Sequence, residues 1–288
     1  MDRARPDLLT WRTRAGAWTL DFSRPLLMSI INLTPDSFSD GGRFKSPDEA
    51  VEADLAEEAD GADLLDLGAE STRPGSRGLD EDEEWARLEP VLTTLVKMTS
   101  RPISIDTYKS GVAEKALAAG AALINDIYAG RKDPGLLAVA AEWRVPVILM
   151  HMQGEPATMQ IAPRYDDLVG EIHDFLLSRA RAAEAAGVPR ELIWLDPGIG
   201  FGKTVSHNLS LIKHFDRVLP QNYRRVMALS RKGFFRTILG NGPAAARDGL
   251  TAVADALSVL KGAEILRVHR AAPNRAAVDL ALAVRSAA

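Results

Sequence analysis

Short apolar segments recur eight times along the chain, and helix-like segments separate them. Their length and their branched side chains are typical of buried strands. Strands that alternate with helices must pair in parallel, because each helix carries the chain back to the start of the next strand. Eight such units in 288 residues predict an α/β protein with a single closed (β/α)8 TIM barrel. The predicted strands are 26–32, 62–67, 102–106, 122–126, 145–150, 192–196, 225–230 and 264–268.

An open, doubly wound sheet is the alternative arrangement for such a pattern. It would need a GxGxxG phosphate-binding turn after the first strand, and no such turn is present there. Before the first strand, Trp11 to Thr13 and Ala17 to Leu20 flank a glycine, which predicts a small hairpin. We therefore divide the chain into an N-terminal extension over 1–25 and a barrel over 26–288.

Helix boundaries are marked by capping residues. Ser46 is followed by a proline and, three positions after the serine, by Glu49, which predicts a helix N-terminus. Acidic residues from Asp80 onwards suit the first turn of a second helix, and Gly120 suits the end of a third. Further helices are predicted over 109–119, 134–142, 165–186, 206–217, 231–239, 243–260 and from about 270 to 285.

The composition is that of an ordinary soluble globular protein, 46% hydrophobic and 26% charged, with a net charge of −4. This slightly acidic balance gives no reason to expect nucleic acid or an anionic membrane surface as a partner. The absence of cysteine excludes disulfides and cysteine-based zinc sites. The charged N-terminus lacks the apolar core of a signal peptide and no run is long enough to span a membrane, so we expect a cytoplasmic protein.

Polar or ionisable side chains follow every predicted strand. In a barrel these strand ends meet at one rim, where barrel enzymes place their active sites. An isolated Asp after a strand is often only a helix cap, but eight polar endings on one rim indicate a site. The residues are Asn32, Asp66 with Glu70, Asp106, Asn125 with Asp126, His151, Asp196, Ser230 with Lys232, and Arg267 with His269.

These side chains divide into two chemical groups. Asp106, Asn125 and Asp196 are acceptors or amides, and buried carboxylates need donors such as the N–H groups of an amino-pyrimidinone ring. The second group is cationic and suits a carboxylate or phosphate; it comprises Arg73, Lys232, Arg267 and His269. Asn32 offers a neutral oxygen that, together with substrate phosphates, suits Mg²⁺.

Three loops add detail to this rim. The cationic segment 71–75 is predicted either to fold over the mouth of the barrel or to be a solvated turn. In the glycine-rich segment 196–203, Phe201 either stacks on a ring or covers the core, and Lys203 is expected on a solvated face. His151 either binds ligand or packs as a rim histidine. Neither a zinc motif nor a Ser-His-Asp set is apparent.

Several segments resemble the dihydropteroate synthase family. The two most specific are 32–42, NLTPDSFSDGG, and 66–75, DLGAESTRPG. The others follow in the same order down to the C-terminus: 104–107, 124–126, 150–154, 196–203, 230–232 and 267–269.

This resemblance implies an enzyme of folate biosynthesis, a sulfonamide target that is a homodimer in this family. It would join 6-hydroxymethyl-7,8-dihydropterin diphosphate to 4-aminobenzoate, with Mg²⁺, to give 7,8-dihydropteroate and diphosphate. By matching motifs, the pterin ring would be held by Asp106, Asn125, Met150, Asp196, Lys232 and Arg267. The aminobenzoate side would comprise Thr72, Arg73, Pro74, Phe201, Ser230 and Lys232. The diphosphate would be bound by Asn32, Arg267 and His269, with Asn32 at the metal.

The chain departs from the family pattern at Arg270, where an Asp is usual, and at the bulky pair Phe234 and Phe235. We expect Arg270 to alter the rim near the diphosphate, and both departures leave sulfonamide sensitivity and substrate affinity open. Two other functions share the pterin-binding residues. One is a methyltetrahydrofolate–corrinoid methyltransferase, which would not need the diphosphate residues or the segment 72–75. The other is a binding module that has lost catalysis.

Overall fold

The computed structural model describes residues 6–13, 16–34, 46–71 and 78–287. Two of the predicted site segments lie partly outside this range. In the first motif, residues 35–42 lie outside it. In the second motif, Thr72, Arg73 and Pro74 lie outside it. The predictions made for these residues remain predictions.

Eight parallel strands form a closed barrel, as predicted, in the order β10-β3-β4-β5-β6-β7-β8-β9. Since each strand is buried on both faces, its sequence is an almost continuous apolar run rather than an alternating one. The strands are β3 Leu26–Asn32, β4 Leu64–Gly68, β5 Ile103–Asp106, β6 Leu123–Asp126, β7 Val147–Met150, β8 Ile193–Asp196, β9 Arg224–Met227 and β10 Ile265–Val268. The polar residues singled out in the sequence therefore lie on or just after the C-terminal ends of these strands.

The predicted N-terminal hairpin is present and covers the opposite end of the barrel. Strands β1, Leu8–Thr13, and β2, Gly16–Asp21, pair antiparallel, with Trp11 opposite Trp18. Trp11 is 4% exposed and its indole N–H donates a 2.9 Å hydrogen bond to the carbonyl of Ala122, just before β6. The hairpin thus closes the N-terminal end and leaves the C-terminal rim for the site.

The helices that separate the strands confirm the capping predictions. The Ser46 hydroxyl accepts from the Glu49 N–H, and Asp80 forms a reciprocal capping box with Glu83. The helices are α1 Pro47–Ala59, α2 Glu81–Met98, α3 Ser110–Ala119, α4 Gly135–Trp143, α5 Leu168–Ala185, α6 Val205–Lys213, α7 Phe215–Val218, α8 Arg236–Leu239, α9 Asp248–Leu260 and α10 Ala271–Ser286.

Four predicted helices differ in detail from the structure. The helix expected over 243–260 begins with a 3-10 turn, Ala244–Arg247, and α9 follows from Asp248. The helix expected over 165–186 begins only at Leu168, because the Asp167 side chain caps it by accepting from the Gly170 N–H. The helix expected over 206–217 is divided at His214, which lies between α6 and α7. The segment predicted as helix from 231 begins with a single 3-10 turn, Gly233–Phe235, before α8. Within the described residues, every helix is too short or too polar to cross a bilayer.

Candidate active site

Arg267 joins two carboxylates from neighbouring strands at the centre of the rim. Its Nε donates a 2.6 Å hydrogen bond to Asp66 Oδ2, and its Nη2 donates a 2.7 Å bond to Asp106 Oδ2. Asp66 is fully buried on β4, and its second oxygen, Oδ1, has no hydrogen-bond partner among the described residues. A guanidinium suits this task, because its planar fork can hold two carboxylates at fixed angles.

The carboxyl group of Asp106 has an altered acidity. Burial, together with the negative charge of Asp66, raises its pKa to about 7 against the opposing effect of Arg267. A carboxylate in this state gains from any ligand that brings N–H donors, because these replace the lost hydration. The floor of the site is therefore prepared to accept hydrogen bonds from a neutral, N–H-rich group.

Asn125 and Asp126, adjacent in sequence at the end of β6, have different tasks. Asn125 lies beside Asp106 in the sheet register and donates a 3.3 Å hydrogen bond to Asp66. Asp126 instead accepts from the N–H groups of Tyr128 and Gly130, so its carboxylate caps the following turn. The capping explanation is thus correct for Asp126, and the site contains Asn125.

Asp196, at the end of β8, forms the opposite wall of the site. Its Oδ1 accepts a 2.7 Å hydrogen bond from the Gly198 N–H, and burial raises the pKa of its carboxyl. Gly198 has φ +71, and a Cβ there would lie 1.8 Å from the His151 carbonyl oxygen. Met150 pairs with Asp196 in the sheet register and is buried in an apolar cluster with Met152 and Tyr128. Only a glycine at 198 permits the close approach of this loop to the His151 carbonyl.

Lys232 is a second cation at this wall. Its Nζ lies 4.3 Å from the centre of the Phe201 ring, a cation–π distance. Burial lowers the pKa of Lys232 to about 8, while the charge of Asp196 opposes that change. Phe201 is partly buried and packs against the Met150 cluster. The ring of Phe201 therefore presents a face to the site as well as covering the core.

Ser230, predicted on the aminobenzoate side, and His269, predicted at the diphosphate, meet after the ends of β9 and β10. The Ser230 hydroxyl lies 2.9 Å from His269 Nδ1 and also accepts a 3.0 Å bond from the His269 backbone N–H. Asn32 is the half-buried last residue of β3 and is paired with Gly68, whose Cα faces the Asp106 side chain. The rim thus carries polar groups on the side of β3 and on the side of β10, flanking Arg267.

The expectation that Lys203 lies on a solvated face is wrong. Lys203 is 3% exposed, and its Nζ lies 2.9 Å from His151 Nδ1 and donates a 3.0 Å bond to the Phe201 carbonyl. Burial lowers the pKa of Lys203 to about 7, and burial with the charge of Lys203 lowers that of His151 to about 2. His151 is therefore a neutral, packed rim histidine that lies edge-on to Phe175 at 4.8 Å.

Beside the site, Lys109 forms buried ion pairs with Glu70 and Glu84, which the sequence did not indicate. Glu70 also accepts hydrogen bonds from the Leu79 N–H and the Tyr108 hydroxyl. Burial raises the pKa of Glu84, and the hydrogen bond from Lys109 opposes this. Glu70, which was grouped with the strand endings, thus belongs to this network behind β4 and β5.

Neither departure from the family pattern occupies the site. The guanidinium of Arg270 pairs at 3.0 Å with Glu57 on α1 and at 3.6 Å with Asp60, the C-cap residue of that helix. Phe234 and Phe235 are buried, with ring centres 4.2 Å apart. The expected effect of Arg270 on the rim is therefore not seen, because its side chain is held by α1.

The assembled site has an acceptor floor and a cationic edge. Its carboxylates and amide suit a ring with several N–H groups, and Lys232, Arg267 and His269 suit an anion bound next to that ring. Among the described residues there is no group of three or more His, Asp or Glu side chains that would hold a metal by themselves.

Comparison with known proteins places this arrangement in a family. Residues 28–269 match the family model described as pterin binding enzyme. A dihydropteroate synthase of Streptococcus pyogenes is 41% identical over 91% of this chain and 96% of its own length. That of Neisseria meningitidis serogroup C is 41% identical over 89% of this chain and 91% of its own length.

Solved structures agree with these relatives. The Yersinia pestis dihydropteroate synthase, solved with a sulfonamide drug, has a TM-score of 0.90 at 39% identity and covers 97% of this chain and 100% of its own. The Xanthomonas albilineans enzyme with 4-aminobenzoic acid has a TM-score of 0.87 at 42% identity, covering 94% of this chain and 96% of its own. The chain therefore belongs to the pterin-binding enzyme family, among the dihydropteroate synthases.

Proposed function

We infer that this enzyme condenses 6-hydroxymethyl-7,8-dihydropterin diphosphate with 4-aminobenzoate to form 7,8-dihydropteroate and diphosphate. The observation that carries this inference is the pairing of Arg267 with Asp66 and Asp106, opposite Asp196 and Lys232 on the same rim. That arrangement suits an N–H-rich bicyclic ring with an anionic substituent. The identity of the relatives over nearly the whole chain supports the same reaction.

The pterin ring would lie on the acceptor floor. Asp106, Asn125 and Asp196 would receive its N–H groups, while Lys232 and Arg267 would donate to its acceptors. Met150, buried beside Asp196 in the sheet, would pack against a face of the ring. Because these groups are already desolvated and held by each other, little reorganisation is needed when the ring binds.

The arylamine would enter on the side of Phe201 and Ser230. The ring of Phe201 offers a stacking face, and the Ser230 hydroxyl and Lys232 ammonium offer donors to the 4-aminobenzoate carboxylate. By family resemblance Thr72, Arg73 and Pro74 complete this side. A bound sulfonamide in the Yersinia pestis relative supports the prediction that sulfonamides compete here.

The diphosphate would lie between Asn32, Arg267 and His269. The donor set fits a Mg²⁺ ion carried by the substrate, because Asn32 offers one neutral oxygen and water and phosphate oxygens can supply the rest of an octahedral shell. When bound, Mg²⁺ would neutralise part of the charge on the leaving group. Calorimetric binding of the pterin diphosphate with and without Mg²⁺ tests this separately from turnover.

The order of events follows from the chemistry of the substrates. An electron-rich dihydropterin stabilises positive charge at its exocyclic methylene carbon, so the C–O bond to the diphosphate can break first. Arg267 and His269 would stabilise the charge that grows on the leaving oxygens. The neutral arylamine nitrogen then attacks the carbon and releases its proton to solvent, so no strong base is required.

We also propose that two copies of the chain associate through an apolar groove between α6, α8 and α9. The groove has a volume of about 570 Å³, contains none of the strand-end site residues named above, and is lined by Leu209, Ile238, Leu250, Val253, Leu257 and Leu260. Val253 and Leu257, one helical turn apart on the α9 wall of this groove, are exposed. One exposed apolar face suits an isologous dimer, because the same surface of each copy can cover that of the other.

The decisive experiment is a coupling assay with dihydropterin diphosphate, radiolabelled 4-aminobenzoate and Mg²⁺. Labelled dihydropteroate that disappears with EDTA and returns with added Mg²⁺ is expected. D196A and K232A should each abolish most of the product, while K97M, a change at an exposed lysine, should not. Full activity in both site variants would contradict the assignment.

The same assay separates the alternatives. Tight pterin diphosphate binding without product would support the binding module, and methyl transfer from methyltetrahydrofolate to a corrinoid protein would support the methyltransferase. Neither alternative explains why the rim carries Asn32, Arg267 and His269, a set suited to a diphosphate. The cytoplasmic location remains a prediction, which fractionation of the source cells would test.

A further inference from the structure

Lys203 and His151 form a buried pair to which the proposed reaction gives no task. Lysine is among the residues least often buried, and an ammonium group away from water is costly unless hydrogen bonds compensate it. Here the Lys203 side chain is turned inwards from a glycine-rich loop that could have left it in solvent. A lysine in this position indicates that its contacts are needed.

The contacts of Lys203 fix one point of the main chain. Its Nζ donates to the Phe201 carbonyl at 3.0 Å and lies 2.9 Å from His151 Nδ1. His151 is neutral, so its Nδ1 lone pair accepts from the ammonium group. The imidazole cannot turn away easily, because Phe175 lies edge-on at 4.8 Å and Tyr165 lies at 6.0 Å. His151 therefore holds Nζ in place.

Other hydrogen bonds hold the loop that carries Phe201 on either side of this residue. The His151 backbone N–H donates to the Asp196 carbonyl at 3.0 Å, and the Tyr165 hydroxyl donates to the Gly202 carbonyl at 2.8 Å. Between them, the ring of Phe201 lies 4.3 Å from Lys232 Nζ. The hydrogen bond from Lys203 therefore acts on Phe201, the residue whose ring faces the site.

We propose that Lys203, held by His151, is a positioning residue that fixes the Phe201 main chain and so sets the Phe201 ring against Lys232 in the arylamine subsite. The inference rests on the proposed function, since it gives Phe201 the task of contacting 4-aminobenzoate. Lys203 touches neither substrate in this scheme and acts on the arylamine subsite through Phe201. Burial raises the pKa of the Asp196 carboxyl, and the charge of Lys203 also acts to lower it. If Lys203 served only to fill the core, its substitution would instead weaken the binding of the pterin and of the arylamine alike.

A double-mutant cycle distinguishes these two roles. K203M, F201A and the double variant are compared by steady-state kinetics, and pterin diphosphate binding is measured by calorimetry. We expect K203M to raise KM for 4-aminobenzoate about tenfold and to leave the Kd of pterin diphosphate within about twofold. In the F201A background, K203M should change KM by less than about twofold, because the residue through which it acts is already gone. K97M serves as the surface control.

Independent, multiplicative effects of K203M and F201A would overturn the proposal, as would an equal loss of pterin affinity. An active wild type with an unaffected K203M would contradict this inference and leave the proposed function intact, whereas an inactive wild type would contradict both. Circular dichroism shows whether each variant folds. If K203M does not fold, H151L replaces it under the same criteria, because it removes the Nδ1 acceptor of Lys203 and keeps an apolar side chain at this position.

Discussion

At the scale of single residues, Arg267 is the side chain on which most others in the site depend. Its guanidinium joins Asp66 to Asp106, and Asn125 donates to the same oxygen of Asp66. A lysine would keep the charge but could not reach both carboxylates in fixed directions. The geometry of the guanidinium therefore matters more than its charge.

We expect R267K to lower kcat/KM for pterin diphosphate about 100-fold, because a displaced cation misplaces both carboxylates and the leaving group. R270K is the matched control, since Arg270 pairs with α1 rather than with the site. It should stay within about twofold of wild type. Steady-state kinetics on both variants measures the difference, and equal effects of the two substitutions would contradict this account of Arg267.

The ionisation of the site should also be visible in its pH dependence. Asp106 must be ionised to accept pterin N–H groups, and its pKa is raised to about 7, so activity falls as the pH drops below that value. Lys232 must be protonated, and its pKa is lowered to about 8, so activity falls again above that value. A narrow bell-shaped profile of kcat/KM is expected, because this parameter reports the free enzyme.

K232R tests the assignment of the alkaline limb. An arginine stays charged throughout the range, so the variant should lose that limb while its overall rate also falls. The acid limb, which belongs to Asp106 beside Asp66, should remain. An unchanged alkaline limb in K232R would assign it to another group.

At the scale of secondary-structure elements, much was predictable because the determining residues are local. The strands are continuous apolar runs, and the caps at Ser46 and Asp80 lie three residues from their partners. In contrast, Asp66 and Arg267 are 201 positions apart in sequence, so nothing local indicates their contact. Lys203 was misjudged for the same reason: its burial requires the loops after β7 and β8 to pack together, and each loop alone is polar and glycine-rich.

Those two loops make a specific demand at Gly198. Its φ of +71 is unfavourable for any side chain, and a Cβ would lie 1.8 Å from the His151 carbonyl oxygen. We expect G198A to lower the free energy of unfolding by on the order of 3 kcal/mol, since the main chain of one loop must move. Urea denaturation measures this, and Asp196 should lose its hydrogen bond with the loop.

Gly249, near the start of α9, is the control for this substitution. No heavy atom lies within 4 Å of a Cβ built there. G249A should be neutral or stabilising by about 0.5–1 kcal/mol, because alanine favours a helix over glycine. If G198A were as stable as G249A, the packing of the two loops would be looser than described.

At the scale of the whole molecule, the two ends and one side of the barrel have separate tasks. The N-terminal hairpin closes one end, with Trp11 bonded to Ala122, and the site occupies the other. On the side, the groove between α6, α8 and α9 leaves Leu209, Val253, Leu257 and Leu260 exposed. An apolar surface of this kind is uncommon on a monomer and typically marks an interface.

We therefore expect the wild type to be a dimer and L257E to be a monomer at micromolar concentrations, because association would have to take a charged carboxylate out of water and would lose the apolar contact of Leu257. Sedimentation velocity distinguishes the two states directly. I161E is the control: Ile161 is 75% exposed, lies between β7 and α5 and does not line the groove, so this variant should remain dimeric. A monomeric wild type, or an L257E protein that sediments as the wild type does, would show that this face is not where two copies meet.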